Sequence, residues 1–173
     1  MAHGGLNEAI YDGLVPGQSV EEIIQPEFAQ PGTTPFHENH RIASWDGRIA
    51  GGLHAYPWDD MEDDPPNPLI PEERFEIGEP FHHLTAPGSY YIHALAVYPE
   101  FGRKGIGSTL LSLARDQAAE KSLTDLSLYV YAQNVGAVAL YEKHGYEVAG
   151  RSPLVEHPLL RYTGDVLIMT CPV

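Results

Sequence analysis

Residues 92–108, IHALAVYPEFGRKGIGS, run a β-strand straight into a glycine-rich turn that opens a helix. That order builds an anion site out of main chain. Glycines let the chain tighten and let N–H groups come close to a ligand. The helix that follows presents unpaired N–H groups and a partial positive charge at its first turn, where a phosphate fits without a dedicated side chain. Two familiar phosphate loops fail on spacing. A P-loop needs a lysine just before the Ser/Thr that opens the helix, and Gly107 stands directly before Ser108. A dinucleotide fingerprint needs a third glycine three positions beyond Gly107, where Leu110 sits. What remains is Gly102-x-x-Gly105-x-Gly107.

Further along, residues 126–134 form a β-branched and aromatic strand ending in an Asn turn. Residues 135–144 then read as a helix, with Asn134 suited to its N-cap and Gly145 to its C-terminal stop.

Taken together, the two segments resemble the signatures of the GNAT family of N-acetyltransferases. The first is similar to that family's acyl-CoA loop, Arg/Gln-x-x-Gly-x-Gly/Ala, with Gly102 at the Arg/Gln position and Arg103 displaced by one. The second is similar to Asn-x-x-Ala-x-x-x-Tyr-x-x-x-Gly-Phe/Tyr, read here as Asn134, Ala137, Tyr141, Gly145 and Tyr146. The resemblance covers residues 89–151, and the N-terminal half is compatible with it but unspecific.

A chain of 173 residues is expected to be one domain, residues 1–173, with a real core. No apolar run approaches the roughly 18 residues of a membrane span, and residues 1–11 lack the order of a signal peptide. One cysteine, Cys171, excludes an internal disulfide framework, so the expected compartment is the cytoplasm. The net charge of −14 argues against nucleic acid as a partner. Because CoA is itself polyanionic, a local counter-field has to come from Arg103, Lys104 and the helix N-terminus. Between Trp58 and Glu79 stand nine acids against the single base Arg74. These acids are expected to border the acceptor cleft and draw in cationic amines, against the plainer alternative of a solvated charged loop.

The pattern predicts short helices over 5–14 and 20–28, the second opened by a Ser19/Glu22 capping box. A hairpin over 41–45 and 48–56 turns at Asp46-Gly47. Residues 57–88 hold seven prolines and read as a long loop, with a helical turn only at 72–77. Strands follow at 90–97, 125–131, 146–152 and 166–171, and helices at 105–121 and 135–144. The helix over 105–121 is expected to carry Ile106, Leu110, Leu113, Ala114 and Gln117 along one face. This is an α+β chain, a central mixed sheet flanked by helices, as in the GNAT fold. The strand that precedes the first helix in that fold is missing.

The resemblance implies the chemistry. GNAT enzymes transfer acetyl from acetyl-CoA to a primary amine by direct attack in a ternary complex, so no protein nucleophile is needed. It implies that Leu95, Ala96 and Val97 bond the pantetheine through main chain. Gly102, Arg103, Lys104, Gly105, Ile106, Gly107 and Ser108 would cradle the pyrophosphate, and Asn134 would reach the pantetheine arm. Tyr141 would also border the thioester as the acid for the departing thiolate; a packed aromatic is the plainer reading. The segment 93–97, His-Ala-Leu-Ala-Val, is similar to that of arylalkylamine N-acetyltransferases, where a histidine serves the amine-deprotonating relay. His93 is the corresponding residue, and an ordinary imidazole suits that work; a structural histidine is the alternative. In a regular strand Tyr91, His93, Leu95 and Val97 would share a face. His37-x-x-His40 has the wrong spacing for a His-Glu-x-x-His zinc site and His82-His83 would point apart, so no metal is expected. The acceptor is a small-molecule or protein amine, cationic if the acid run serves it, and a homodimer is compatible. The competing readings are a non-catalytic acyl-CoA-binding sensor on the same fold and a binder of some other phosphate, such as a nucleotide.

Overall fold

The computed structural model describes residues 4–77, 81 and 83–173. Its elements are α1 (Leu6–Tyr11), α2 (Val20–Ile24), β1 (His40–Trp45), β2 (Arg48–Pro57), α3 (Glu72–Phe75), β3 (Ser89–Val97), α4 (Ile106–Glu120), β4 (Asp125–Tyr131), α5 (Val135–Lys143), β5 (Glu147–Pro153) and β6 (Asp165–Pro172). The strands form one mixed sheet in the order β1-β2-β3-β4-β6-β5. Among the described strands only β3 and β4 run parallel. Among the described residues no strand precedes α1.

Local chemistry accounts for the boundaries. Ser19 and Glu22 exchange the two bonds of a capping box, at 2.8 and 3.2 Å, and start α2. Asp46 and Gly47 both take left-handed backbone, with φ of 49° and 73°, which matches the twist of a tight hairpin. Gly51 lies opposite Val97, and a side chain there would run into the Ala96 carbonyl.

Two apolar layers hold the sheet. On one face, α4 and α5 cover Leu53, Ala55, Tyr90, Ile92, Leu126, Leu128 and Met169. The buried seam of α4 is Ile106, Leu110, Leu111, Ala114 and Ala118, so Leu111 and Ala118 replace the expected Leu113 and Gln117, which are only partly buried. The fully buried alanines at 114 and 118 let the helix lie close on the strands. On the other face, Tyr56, Trp58, Tyr91, Val166 and Ile168 form a second cluster with Leu84.

That second cluster corrects the reading of 57–88 as a loop with one helical turn. A 3-10 turn at Trp58–Asp63 buries the Trp58 ring against the sheet, and α3 follows at Glu72–Phe75. Residues 78–80 and 82, which include Glu79 of the acid run and His82, lie outside the described residues.

β3 departs from regular alternation. His54 faces Ala94 and Ala55 faces Ile92, so the register shifts by one and His93 is the extra residue of a β-bulge. Such a bulge reverses the side-chain alternation beyond it. Tyr91 belongs to the second cluster, whereas Leu95 and Val97 pack with the α4 layer. The expected shared face of Tyr91, His93, Leu95 and Val97 is therefore broken at His93.

Candidate active site

The parallel pairing of β3 with β4 covers only Ser89–Ile92 against Asp125–Leu128. A buried bond of 2.6 Å between the Ser89 and Ser127 hydroxyls pins this root. Beyond it the strands part: β3 continues to Val97 with β2, and β4 to Tyr131 with β6. The opening is a cavity of about 230 Å³ lined by residues 92–97, Tyr129, Val130, Tyr131, Asn134, Ala137, Tyr141 and Tyr162. Among the described residues the pairing with β4 stops at Ile92, and main-chain groups at Leu95–Val97 facing the gap can bond a ligand that enters.

Helices shape the two sides of this gap. Asn134 caps α5 by accepting from the Ala137 N–H at 3.4 Å. That register carries Tyr141 into the cavity lining, and burial pushes its phenol up to about 12. Tyr162, which the sequence did not single out, stacks on Tyr131 with centroids 4.8 Å apart.

The glycine turn lies between β3 and α4. Arg103 and Gly105 both adopt left-handed backbone, φ 59° and 83°. The first turn of α4 carries no side-chain cap, and Thr109 donates the bond to the Gly105 carbonyl, so the N–H groups of residues 106–108 precede the ladder. A side-chain carbon at Gly105 would meet nothing within 4 Å. One at Gly107 would lie 3.1 Å from Leu140 Cδ2, so Gly107 serves the α4–α5 contact. Lys104 holds its ammonium 5.0 Å from the Trp45 ring and 5.3 Å from Phe101, while Arg103 is exposed. The Ser108 hydroxyl bonds His144 Nε2 at 2.9 Å. These features suit a ligand with a pantetheine-like arm and a polyanionic end, since the strand edge leads to an uncapped helix start and Arg103 and Lys104 belong to the turn between them.

A second cavity, of about 450 Å³, lies between α1, α2 and the sheet. His93 lines this cavity and the strand gap alike. Its Nδ1 lies 3.0 Å from the Tyr56 hydroxyl. The His54 ring is 4.8 Å away, and His40 stacks on His54 at 3.9 Å. Tyr91, a candidate to orient His93, is buried and meets it ring edge to ring face. The hydroxyl partner comes from Tyr56 instead. Sequence reasoning passed over Tyr56 and His54, although their spacing of two on β2 puts both on one face.

The acids of the run are held outside the cavity wall. Asp59 accepts from the Gly88 N–H, and Asp64 from the N–H and hydroxyl of Thr34. None of Asp59, Asp60, Asp63 and Asp64 lines the cavity that holds His93; among the described residues its one carboxylate is Glu27. Glu27 accepts from Asn67 at 2.6 Å and Tyr11 at 3.4 Å, and burial raises its carboxyl above the usual range. The described residues include no group of three or more His, Cys, Asp or Glu placed to hold a metal ion, and no helix long and apolar enough to cross a membrane.

Comparison with known proteins bears on the fold and the family. The mycothiol acetyltransferase of Clavibacter michiganensis is 36% identical over 70 residues, 40% of this chain and 23% of that protein. The ribosomal protein bS18 alanine N-acetyltransferase of Salmonella typhimurium is 34% identical over 79 residues, 46% of this chain. The chain thus aligns with about half of the latter's length, 53%, and with much less of the former's. A crystal structure of an acetyltransferase superposes with a TM-score of 0.70 at 22% identity, covering 97% of this chain and 88% of the other, which shows the shared fold. The sequence model of the acetyltransferase (GNAT) family matches residues 8–146. With that match over most of its length, the chain belongs to the GNAT acetyltransferase family.

Proposed function

We propose that this protein moves the acetyl group of acetyl-CoA onto a primary amine within a ternary complex. One observation carries the reading: His93 lies where the strand gap and the α1–α2 cavity meet, with Tyr141 on the gap's other wall. Acetyl-CoA lies along the β3 edge at Leu95–Val97, its pyrophosphate at the α4 turn. The acceptor enters from the cavity lined by Ile10, Phe28 and His54. His93 takes a proton from the ammonium and releases it to solvent. The neutral nitrogen attacks the thioester carbonyl, the C–N bond forms and the C–S bond breaks. Sulfur leaves as thiolate and receives a hydrogen bond from Tyr141; the nitrogen sheds its second proton to solvent as the amide forms, and the thiolate takes up a proton from solvent. The lining of Leu6, Ile10, Phe28 and Ile42, with Glu27 at one side, suits an amine with an apolar body and a cationic head.

The test is an amine panel with acetyl-CoA, read by free-thiol release and by mass of the acetylated product. Turnover with an apolar primary amine supports the reading. Tight acetyl-CoA binding without turnover for any small or peptide amine would favour a sensor instead.

A further inference from the structure

A third, smaller cavity adjoins the two that meet at His93. It has a volume of about 90 Å³ and is lined by Leu6, Phe81, Tyr91, His93, Val166 and residues 129–131. Residues 129–131 line the strand gap as well, and Leu6 also lines the α1–α2 cavity. Among the described residues His93 alone borders all three spaces. The walls of the small cavity are packed aromatic and aliphatic groups. The Tyr129 ring lies 6.1 Å from Phe81 and 5.6 Å from Tyr91, and Val166, 3% exposed, belongs to the same cluster. The Tyr129 hydroxyl donates to the Leu84 carbonyl, which ties β4 to the segment carrying Phe81. The described lining holds no lysine, arginine or carboxylate.

A thioester under attack needs three directions at its carbonyl carbon: one for the sulfur arm, one for the acyl substituent and one for the incoming amine. The strand gap takes the sulfur arm and the α1–α2 cavity takes the amine. For acetyl the remaining substituent is a single methyl, which needs no cavity of its own. A water takes about 30 Å³ of liquid, so 90 Å³ accommodates roughly three groups of that size, about one methylene each.

We infer that the small cavity is an acyl-chain subsite, and that this protein also transfers short unbranched apolar acyl groups, propionyl to pentanoyl, from their CoA thioesters. This rests on the reading of the strand gap as the thioester site. The bonds are those of acetyl transfer: the amine nitrogen joins the acyl carbon and the C–S bond breaks. The nitrogen sheds its protons to solvent, and the CoA thiolate takes one up. Phe81 thereby gives the proline-rich stretch a task at the site, as the wall that limits chain length.

Titration of the full-length protein with acetyl-, butyryl-, succinyl- and octanoyl-CoA, without amine, reads the subsite independently of turnover. Burying one methylene is worth about four-fold, so butyryl-CoA should bind about 10-fold tighter than acetyl-CoA. Succinyl-CoA has the same chain length but ends in a carboxylate, and it should lose that gain. Octanoyl-CoA should gain nothing over butyryl-CoA. Val166→Ile fills part of the space and should lower the butyryl-to-acetyl affinity ratio, whereas Phe81→Ala opens it and should favour longer chains. The ratio is taken within each variant, so a loss of folded protein cancels. With an amine that accepts acetyl, kcat/KM should follow the same order. Equal Kd values for acetyl- and butyryl-CoA would overturn the inference, as would tight butyryl-CoA binding with transfer of acetyl alone. A gain that continues to octanoyl-CoA and ignores both variants would also overturn it, by placing the chain in the α1–α2 cavity. No turnover with any thioester would remove the transfer function itself, a result separate from the order of Kd values.

Discussion

Tyr141 and Tyr146 are both buried on the α5 side, with ring centroids 5.8 Å apart, yet deleting their hydroxyls should have opposite consequences. Tyr141 lines the strand gap. Burial pushes its phenol up to about 12, so it stays protonated at neutral pH. A thiolate has an ordinary pKa of about 8.5, which makes full proton transfer from this phenol uphill. Its service is therefore a hydrogen bond to a charged sulfur, worth about 1.5–3 kcal/mol. At 1.36 kcal/mol per decade, Tyr141→Phe should lower kcat by about 10- to 150-fold, with acetyl-CoA affinity and thermal stability near wild type. Tyr146 is different: among the described residues its hydroxyl has no hydrogen-bond partner. An unmet buried hydroxyl costs about 1–3 kcal/mol, so Tyr146→Phe should stabilise the fold by about 1 kcal/mol and raise Tm by about 2–4 °C. Its kcat should not change. The assays are initial rates of thiol release at saturating acetyl-CoA and a thermal melt of both variants. A loss below about threefold in Tyr141→Phe would mean that water serves the sulfur as well as the phenol does. A lower Tm for Tyr146→Phe would show that its hydroxyl is bonded in solution.

Other substitutions test the remaining parts. Gly105→Glu puts a carboxylate at the start of α4 on a left-handed residue, so against Gly105→Ala, which carries the same strain, it should weaken acetyl-CoA by about 10-fold in titration; Gly107→Ala, pressed 3.1 Å from Leu140, should show mainly as a lower Tm. Glu27 has a raised carboxyl pKa, so the folded protein binds its proton more readily than the unfolded chain. Its contribution is complete below the ordinary carboxylate range and is lost as pH rises through the raised value. Glu27→Gln should therefore flatten stability between acid and neutral pH in chemical melts, and raise KM for dicationic acceptors more than for monoamines. Equal KM changes for both acceptor classes would place Glu27 in the scaffold alone.

The strands were legible because their cues are local. Asp46-Gly47 forces a hairpin, and the glycine turn after β3 marks the start of α4. The same holds for Asn134 and Tyr141, whose places follow from the cap and the helix period. The bulge at His93 was hidden, because it depends on how His54 and Ala55 pair with β3 rather than on residues 89–97 themselves. The bond that Asp64 accepts from Thr34 was hidden as well. A run of acids reads as surface charge, and its bond to Thr34 spans 30 positions of chain. Trp58 was swallowed by a proline-rich stretch whose composition says loop, although its ring closes the second cluster.

The central claim is that His93 deprotonates the acceptor at the meeting of the two cavities. The direct measurement is kcat/KM of wild type and His93→Ala for two acceptors of similar shape, one an alkylamine and one an amine already neutral at assay pH. The account predicts a loss of about 10²-fold or more for the alkylamine and a far smaller one for the neutral amine. An equal loss for both, or none for either, would contradict it and leave His93 as a support of the β3 bulge.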